Sequence, residues 1–293
     1  MTPLNLIDDD LPGFYKDASK ASAKGQTSYL RFSRARFAAA ICAAVGGAFA
    51  VSSENLDWFA LVALSGFIVA LIADIYLAIA QPERDWYAGR ALAESTKTLA
   101  WRYSVRGAPF AEEIPEDELR ALLRSRFRQV SERGRDRITI LSEKPVVTKK
   151  MESLRDATFA QRKEVYIRDR TLKQRIWYTE KAECNSRRAK FWRLTLITGE
   201  VIATVLASLR LRGDVNFDFA GILAAGVTAS AAWLALKQHS QLASAYRIAA
   251  RELAIQEDAL QDTTEENWPQ AVADAEEAIS REHTMWLASR GEE

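Results

Sequence analysis

The chain has 293 residues, with 40 Lys and Arg against 39 Asp and Glu, so a formal net charge of +1 names no partner. Two cysteines, Cys42 and Cys184, exclude a disulfide-rich scaffold, and two histidines, His239 and His283, leave little for a His-built metal site or triad. A mean hydropathy of −0.18 suits a soluble protein, but it averages over four apolar runs and a remainder that carries nearly all the charge.

The first 36 residues are polar, carry Lys16, Lys20, Lys24, Arg31, Arg34 and Arg36, and read as no secretory signal. Residues 37–53 then hold no charge, and residues 58–81 hold only Asp74. After this first pair of runs, Ala88, Leu92, Ser95, Leu99 and Tyr103 make a stripe at helical spacing, with Arg90 and Glu94 placed at i,i+4. Gly107, Pro109, Pro115, Gly134 and Pro145 punctuate a linker that predicts one short helix over 116–130 and one candidate strand, R-I-T-I-L, over 137–141. Residues 146–198 contain neither Gly nor Pro, so the helix entering the third run is expected to project well beyond the membrane without a break near 190. That run, 194–209, holds only Glu200, and the fourth, 219–236, holds no charge. Residues 227–268 again lack Gly and Pro, so the helix leaving the fourth run is also expected to continue unbroken.

A bilayer core needs roughly 20 apolar helical residues, with about 17 still workable. The runs lack an amphipathic period, fall in two pairs and are flanked by Trp58, Trp192 and Trp233, which favours four membrane spans over buried core helices. The expected fold class is therefore an all-α membrane protein of two tandem transmembrane hairpins with long cytoplasmic helical extensions. Residues 81–193 carry 27 Lys and Arg against 17 Asp and Glu, which by the positive-inside rule puts them and both termini in the cytoplasm. An offset of 157 carries Phe37 onto Leu194, Arg36 onto Arg193 and Arg90 onto Arg247, while Glu252 lies one place beyond the match to Glu94. This reads as a tandem duplication, with repeats over 1–106 and 146–293 and the linker over 107–145.

Residues 93–103, A-E-S-T-K-T-L-A-W-R-Y, with Ala108, Pro109 and Phe110, resemble the tail of one subfamily of the SLATT family. Y-I-R-D-R over 166–170, then Gln174, Trp177, Tyr178, Lys181, Ala182 and Asn185, and I-S-R-E-H-T-M-W over 279–286, resemble a second subfamily. The resemblance implies two-transmembrane effectors of bacterial conflict systems, encoded near nucleotide-second-messenger synthetases or nucleotide sensors and thought to perforate the inner membrane. It marks Arg90, Glu94, Lys97, Trp101, Gln174, Tyr178, Lys181, Asn185, Arg247, Glu252, Arg281 and Glu282 as cytoplasmic motif residues. The implied function is an antiphage pore or ion channel assembled from several copies, with a nucleotide synthetase or sensor as partner. The rival is a non-conducting, membrane-anchored scaffold for such a sensor.

Two acids within the runs are candidate ion-pathway residues, because an ionisable group at that depth is costly. Asp74 and Glu200 each lie seven residues from a run edge, so at matching depth, about 10 Å inside. They either form a cation-favouring layer or are held by neighbours such as Thr198 and Tyr76. Ala40, Ala44 and Ala48, and Gly221, Ala225 and Ala229, recur at four-residue spacing and are candidates for close helix packing, with pore lining as the other reading. The basic middle segment either pairs with the acidic C-terminal stretch or lies on anionic headgroups, and no nucleic acid is expected without a recognised module. No phosphate-binding, zinc-protease or nucleophile-elbow motif is present, so no enzyme and no cofactor are expected.

Overall fold

The computed structural model describes residues 4–49, 57–111, 114–132, 137–139, 145–213 and 218–288, with the backbone alone for 281–288. After a 3-10 turn at Asp8–Asp10, ten α-helices follow in chain order. They are α1 (Gly13–Phe49), α2 (Trp58–Ala80), α3 (Pro82–Ser104), α4 (Glu116–Glu132), α5 (Lys149–Arg155), α6 (Phe159–Tyr166), α7 (Lys173–Leu211), α8 (Phe219–Lys237), α9 (His239–Asp262) and α10 (Trp268–Ala288), with a π-helical turn at Ile167–Leu172 between α6 and α7. No strand occurs among the described residues, and four helices are long and apolar enough to cross a membrane. The protein is an all-α membrane protein.

The chain divides into two compact units, and each takes segments from both halves of the sequence. The first draws on residues 4–26, Glu83–Ala182 and 244–288. Its core is aromatic and aliphatic: Trp101, Tyr103, Phe110, Met151, Leu154, Tyr166 and Trp268 are almost wholly buried. Tyr166 meets both Trp101 and Trp268 edge-on, at centroid distances of 5.9 and 5.7 Å, the geometry ring quadrupoles favour. The Trp268 indole N–H donates to the Val105 carbonyl at 2.7 Å, which satisfies the one polar atom that this ring buries. Helix α4 belongs to this core, because it presents Leu119, Leu123 and Phe127 at i, i+4 and i+8 and buries all three.

The second unit, Thr27–Pro82 and Glu183–Ala243, contains the four apolar runs. Its large side chains face outward: Trp58 is 70% exposed, Phe67 66% and Leu194 65%. A unit built for water would bury these groups, whereas hydrocarbon covers them at no cost. Asp57 caps α2, its carboxylate accepting the Phe59 and Ala60 amides at 2.9 and 3.1 Å. Helices α1 and α2 touch backbone to backbone. A Cβ added at Gly66 would lie 2.7 Å from the Ala39 carbonyl oxygen, and one at Gly46 2.6 Å from that of Phe59, so only glycine permits the approach.

Helix continuity matches expectation at the third run and differs after the fourth. In the stretch before the third run, α5 ends at Arg155 and Thr158 starts α6 with a capping box, its hydroxyl and the Gln161 side chain each accepting the other's amide. Beyond the π turn, α7 runs unbroken for 39 residues. After the fourth run, Gln238 adopts φ 48°, left-handed, and ends α8 although no glycine or proline is near. Gln81, 157 residues earlier, does the same with φ 46° before Pro82. The helix expected over 116–130 is present as α4, whereas Arg137–Thr139 is not strand, and Ile140 and Leu141 lie outside the described residues.

Candidate functional site

The two intramembrane acids have different surroundings. Asp74 accepts from the Arg36 guanidinium at 3.0 Å, an ion pair between α2 and α1 whose side chains are 53% and 37% exposed. Tyr76 is engaged elsewhere, stacked on Phe32 at 3.8 Å. Glu200 lies on the exposed surface of α7, and its side chain has no hydrogen-bond or ion-pair partner among the described residues. Only its backbone carbonyl is engaged by a side chain, the Thr204 hydroxyl at 2.8 Å.

The small residues also separate. Ala40 is exposed and Ala44 and Ala48 are half-buried, while the stripe that packs against α2 is Ala39, Ala43 and Gly46. On α8, Gly221 is exposed and donates its amide to the Asp218 cap at 3.1 Å. Ala225 is half-buried, and Ala229 lines a shallow apolar recess with Arg34, Phe37 and Trp233. The close approach between α7 and α8 is at Gly199, where a Cβ would lie 2.7 Å from a Val227 methyl.

The motif residues converge. Arg90, Glu94, Lys97 and Trp101 fall at i, i+4, i+7 and i+11 on one face of α3, and all four line a cavity of about 460 Å³ in the first unit. Gln174 and Tyr178 on the first two turns of α7 line the same cavity, with Asp169, Arg170, Lys173 and Trp177. Six of the twelve motif residues, three spacings apart in one half and one turn apart in the other, therefore share one space. The N-terminal segment closes another side: Lys97 donates to Asp8 at 2.6 Å, and the Tyr15 hydroxyl donates to Asp8 at 2.8 Å. Burial pushes the Asp8 carboxyl up, but the Lys97 ammonium and these hydrogen bonds outweigh it and hold it below the ordinary 3.8.

The other motif residues lie around this space. Tyr178 donates to the Ile279 carbonyl at 3.3 Å and stacks on Tyr246, and the Lys181 ammonium lies 5.6 Å over the Trp177 ring. Asn185, in the second unit, meets the His239 ring at 2.7 Å. Arg247 is exposed and Glu252 half-buried on α9, and both are engaged in interactions. The side chains of Arg281 and Glu282 lie outside the described residues.

Sequence reasoning missed the group that holds Arg170 in the cavity wall. Arg170 donates to Glu276 through Nε at 2.9 Å and Nη2 at 2.7 Å, and Tyr166 and Thr98 add hydroxyl donors to the same carboxylate at 3.1 and 2.8 Å. This network joins the π turn, α3, α6 and α10. The Arg170 signal was present within Y-I-R-D-R, but Glu276 is one of several acids in a polar stretch and has no distinguishing spacing. The π turn inserts a residue into the helical ladder, a feature frequent at functional sites, and it brings Asp169 and Arg170 together to the cavity. Among the described residues no group of His, Cys, Asp and Glu is arranged to hold a metal.

Comparison with known proteins gives two adjacent matches. Residues 12–163 match the family model described as SMODS and SLOG-associating 2TM effector domain 3, and residues 166–286 match SMODS and SLOG-associating 2TM effector domain 1. No curated protein and no solved structure matches the chain. The cavity takes its α3 wall from the first matched segment and its α7 wall from the second.

Proposed function

The chain belongs to the SLATT family of two-transmembrane effector domains, present in tandem, and from that premise we propose that its copies assemble into a pore that permeabilises the inner membrane of a bacterium during conflict, as in antiviral defence. The observation that carries this reading is Glu200. A carboxylate at the centre of an apolar helix costs about 2.5–3.5 kcal/mol or more when it faces lipid. In a single copy Glu200 faces outward with no side-chain partner among the described residues, so a second copy or a water-filled path has to cover it. A ring of such carboxylates around a pore attracts cations and repels anions. Asp74, neutralised by Arg36 at 3.0 Å, serves the packing of α1 on α2 and contributes less to the ring.

The excess of Lys and Arg over residues 81–193 supports an orientation with that segment and both termini in the cytoplasm. The first unit then faces the compartment where SMODS and SLOG proteins, the partners the family description implies, would meet it. The domains we propose are repeats over 1–106 and 146–293, with 107–145 connecting them. Ion flux and dye release from proteoliposomes test the reading. Flux that depends on protein density and falls in Glu200→Gln supports a pore. Tight liposomes at every density, under full incorporation, favour the membrane-anchored scaffold.

A further inference from the structure

The cavity in the first unit has a chemistry that its own residues do not satisfy. Its volume of about 460 Å³ lies in the range that encloses a small organic ligand. Two of its lysines already have a carboxylate partner, Lys97 with Asp8 at 2.6 Å and Lys173 with Asp169 at 2.7 Å. Three groups are left over. Glu94 accepts no hydrogen bond and makes no ion pair among the described residues, and the Gln174 side-chain amide has no hydrogen bond there either. Arg170 commits Nε and Nη2 to Glu276, and its Nη1, on a side chain only 1% exposed, has no hydrogen-bond partner. A buried guanidinium N–H without an acceptor is unfavourable, and native structures supply a partner for such groups.

These leftovers restrict the ligand. A bare anion would satisfy Arg170 but meet Glu94, and a bare cation would satisfy Glu94 but meet Arg170. Both line the same cavity, so a ligand that satisfies both must offer donors as well as acceptors. Of the aromatic lining residues, Trp101 and Tyr178 are buried and Tyr178 already stacks on Tyr246, which leaves the half-buried Trp177 as the ring beside a ligand.

We propose that this cavity binds a guanine nucleotide. The guanine edge carries two adjacent donors, the ring N1–H and the exocyclic amino group, which a carboxylate such as Glu94 accepts together. Its carbonyl and ring-nitrogen acceptors suit the Arg170 Nη1 and the Gln174 amide. Adenine sets an unprotonated ring nitrogen beside its amino group, and that lone pair is repelled by a carboxylate. Trp177 lines the same cavity, and the Lys97 and Lys173 ammoniums, which have three N–H donors each and give one to Asp8 or Asp169, can share the others with a phosphate. Because α3 and α7 come from different matched segments, the site requires the tandem arrangement. It stands independently of any pore, since every lining residue lies in the first unit.

The test is isothermal titration of the full chain in lipid nanodiscs with GMP, AMP and ribose 5-phosphate, alongside tryptophan fluorescence. The expected result is saturable GMP binding with quenching, AMP weaker by about tenfold or more, the discrimination of one bidentate base contact, and no binding of ribose 5-phosphate. Glu94→Gln, nearly isosteric and outside the Arg170–Glu276 network, should weaken GMP binding by about the same factor while leaving the melting temperature of the free protein unchanged. The proposal is overturned by no saturable GMP binding to protein with a normal melting transition, by equal GMP and AMP affinity, or by a Glu94→Gln variant that binds GMP as wild type does.

Discussion

Arg170 and Glu276 face each other through two parallel hydrogen bonds of 2.9 and 2.7 Å, with side chains 1% and 0% exposed, and the pair fixes Arg170 in the cavity wall. Two charges so far from water are tolerable because the geometry is bidentate and the carboxylate takes two further donors, Tyr166 and Thr98. Removing one partner leaves the other buried and unmatched. Glu276→Ala should therefore destabilise the first unit by about 3–5 kcal/mol, seen as a lower melting temperature followed by tryptophan fluorescence. Thr98→Val deletes one donor of four and should cost only about 1–2 kcal/mol. Equal effects from the two variants would mean that the charge pair is not the dominant member of the network.

The left-handed residues at the ends of α2 and α8 give a second prediction. Gln238 holds φ 48° and Gln81 holds φ 46°, where a side chain with a Cβ is strained and glycine is not. Gln238→Gly should be neutral to stabilising by up to about 1 kcal/mol, whereas Gln238→Val, β-branched, should destabilise by about 1–2 kcal/mol. Chemical denaturation in detergent micelles checks the sign. A glycine variant less stable than the valine variant would contradict the backbone reading.

These cases show what could be read in the residues and what could not. The four spans were visible because they hold no charge but Asp74 and Glu200, a one-dimensional signal that survives any tertiary arrangement. The turn at Gln81 was also within reach, since Pro82 follows it and proline commonly stands just past a helix end. The turn at Gln238 had no such marker, and only the 157-residue offset from Gln81 would have carried the break across. Arg90, Glu94, Lys97 and Trp101 were singled out by resemblance and share one helical face, but spacing within one helix cannot say which distant helix it meets. Glu276 was hidden for a similar reason. Residues 238–293 hold 12 acids, and nothing local distinguishes the one that turns inward. For the small residues, a four-residue rhythm of alanines on α1 has more than one phase, and Ala39, Ala43 and Gly46 are the ones that meet Gly66 and Ala63.

The orientation proposed from charge asymmetry can be checked chemically. With Cys42 and Cys184 replaced by serine, a single cysteine at the exposed Arg126 of α4 should react with a membrane-impermeant maleimide only after the cells are opened. Labelling from the periplasm of intact cells would reverse the assigned topology.

The contact between α1 and α2 supplies a further check. A side chain at Gly66 meets the backbone of Ala39 and Ala43, neither of which can move aside without shifting the helix. Gly66→Val should cost about 1–3 kcal/mol, the usual range for overpacking, and should part the Arg36–Asp74 pair by displacing α2. Unchanged thermal stability of the variant in micelles would mean that lipid-facing slack absorbs the added methyl groups.

Glu200 carries the proposed pore, and the reversal potential of the current is the measurement that reaches it most directly. Protein reconstituted in planar bilayers under a tenfold KCl gradient should pass current that reverses toward the potassium equilibrium potential, because a carboxylate ring at that depth favours cations. Glu200→Gln, inserted and assembled to the same extent, should move the reversal potential toward zero, while Asp74→Asn should shift it less because Arg36 already neutralises that site. A Glu200→Gln channel that reverses where the wild type does would contradict the assignment of Glu200 to the ion path, and the absence of any conductance from correctly inserted wild-type protein would contradict the pore itself.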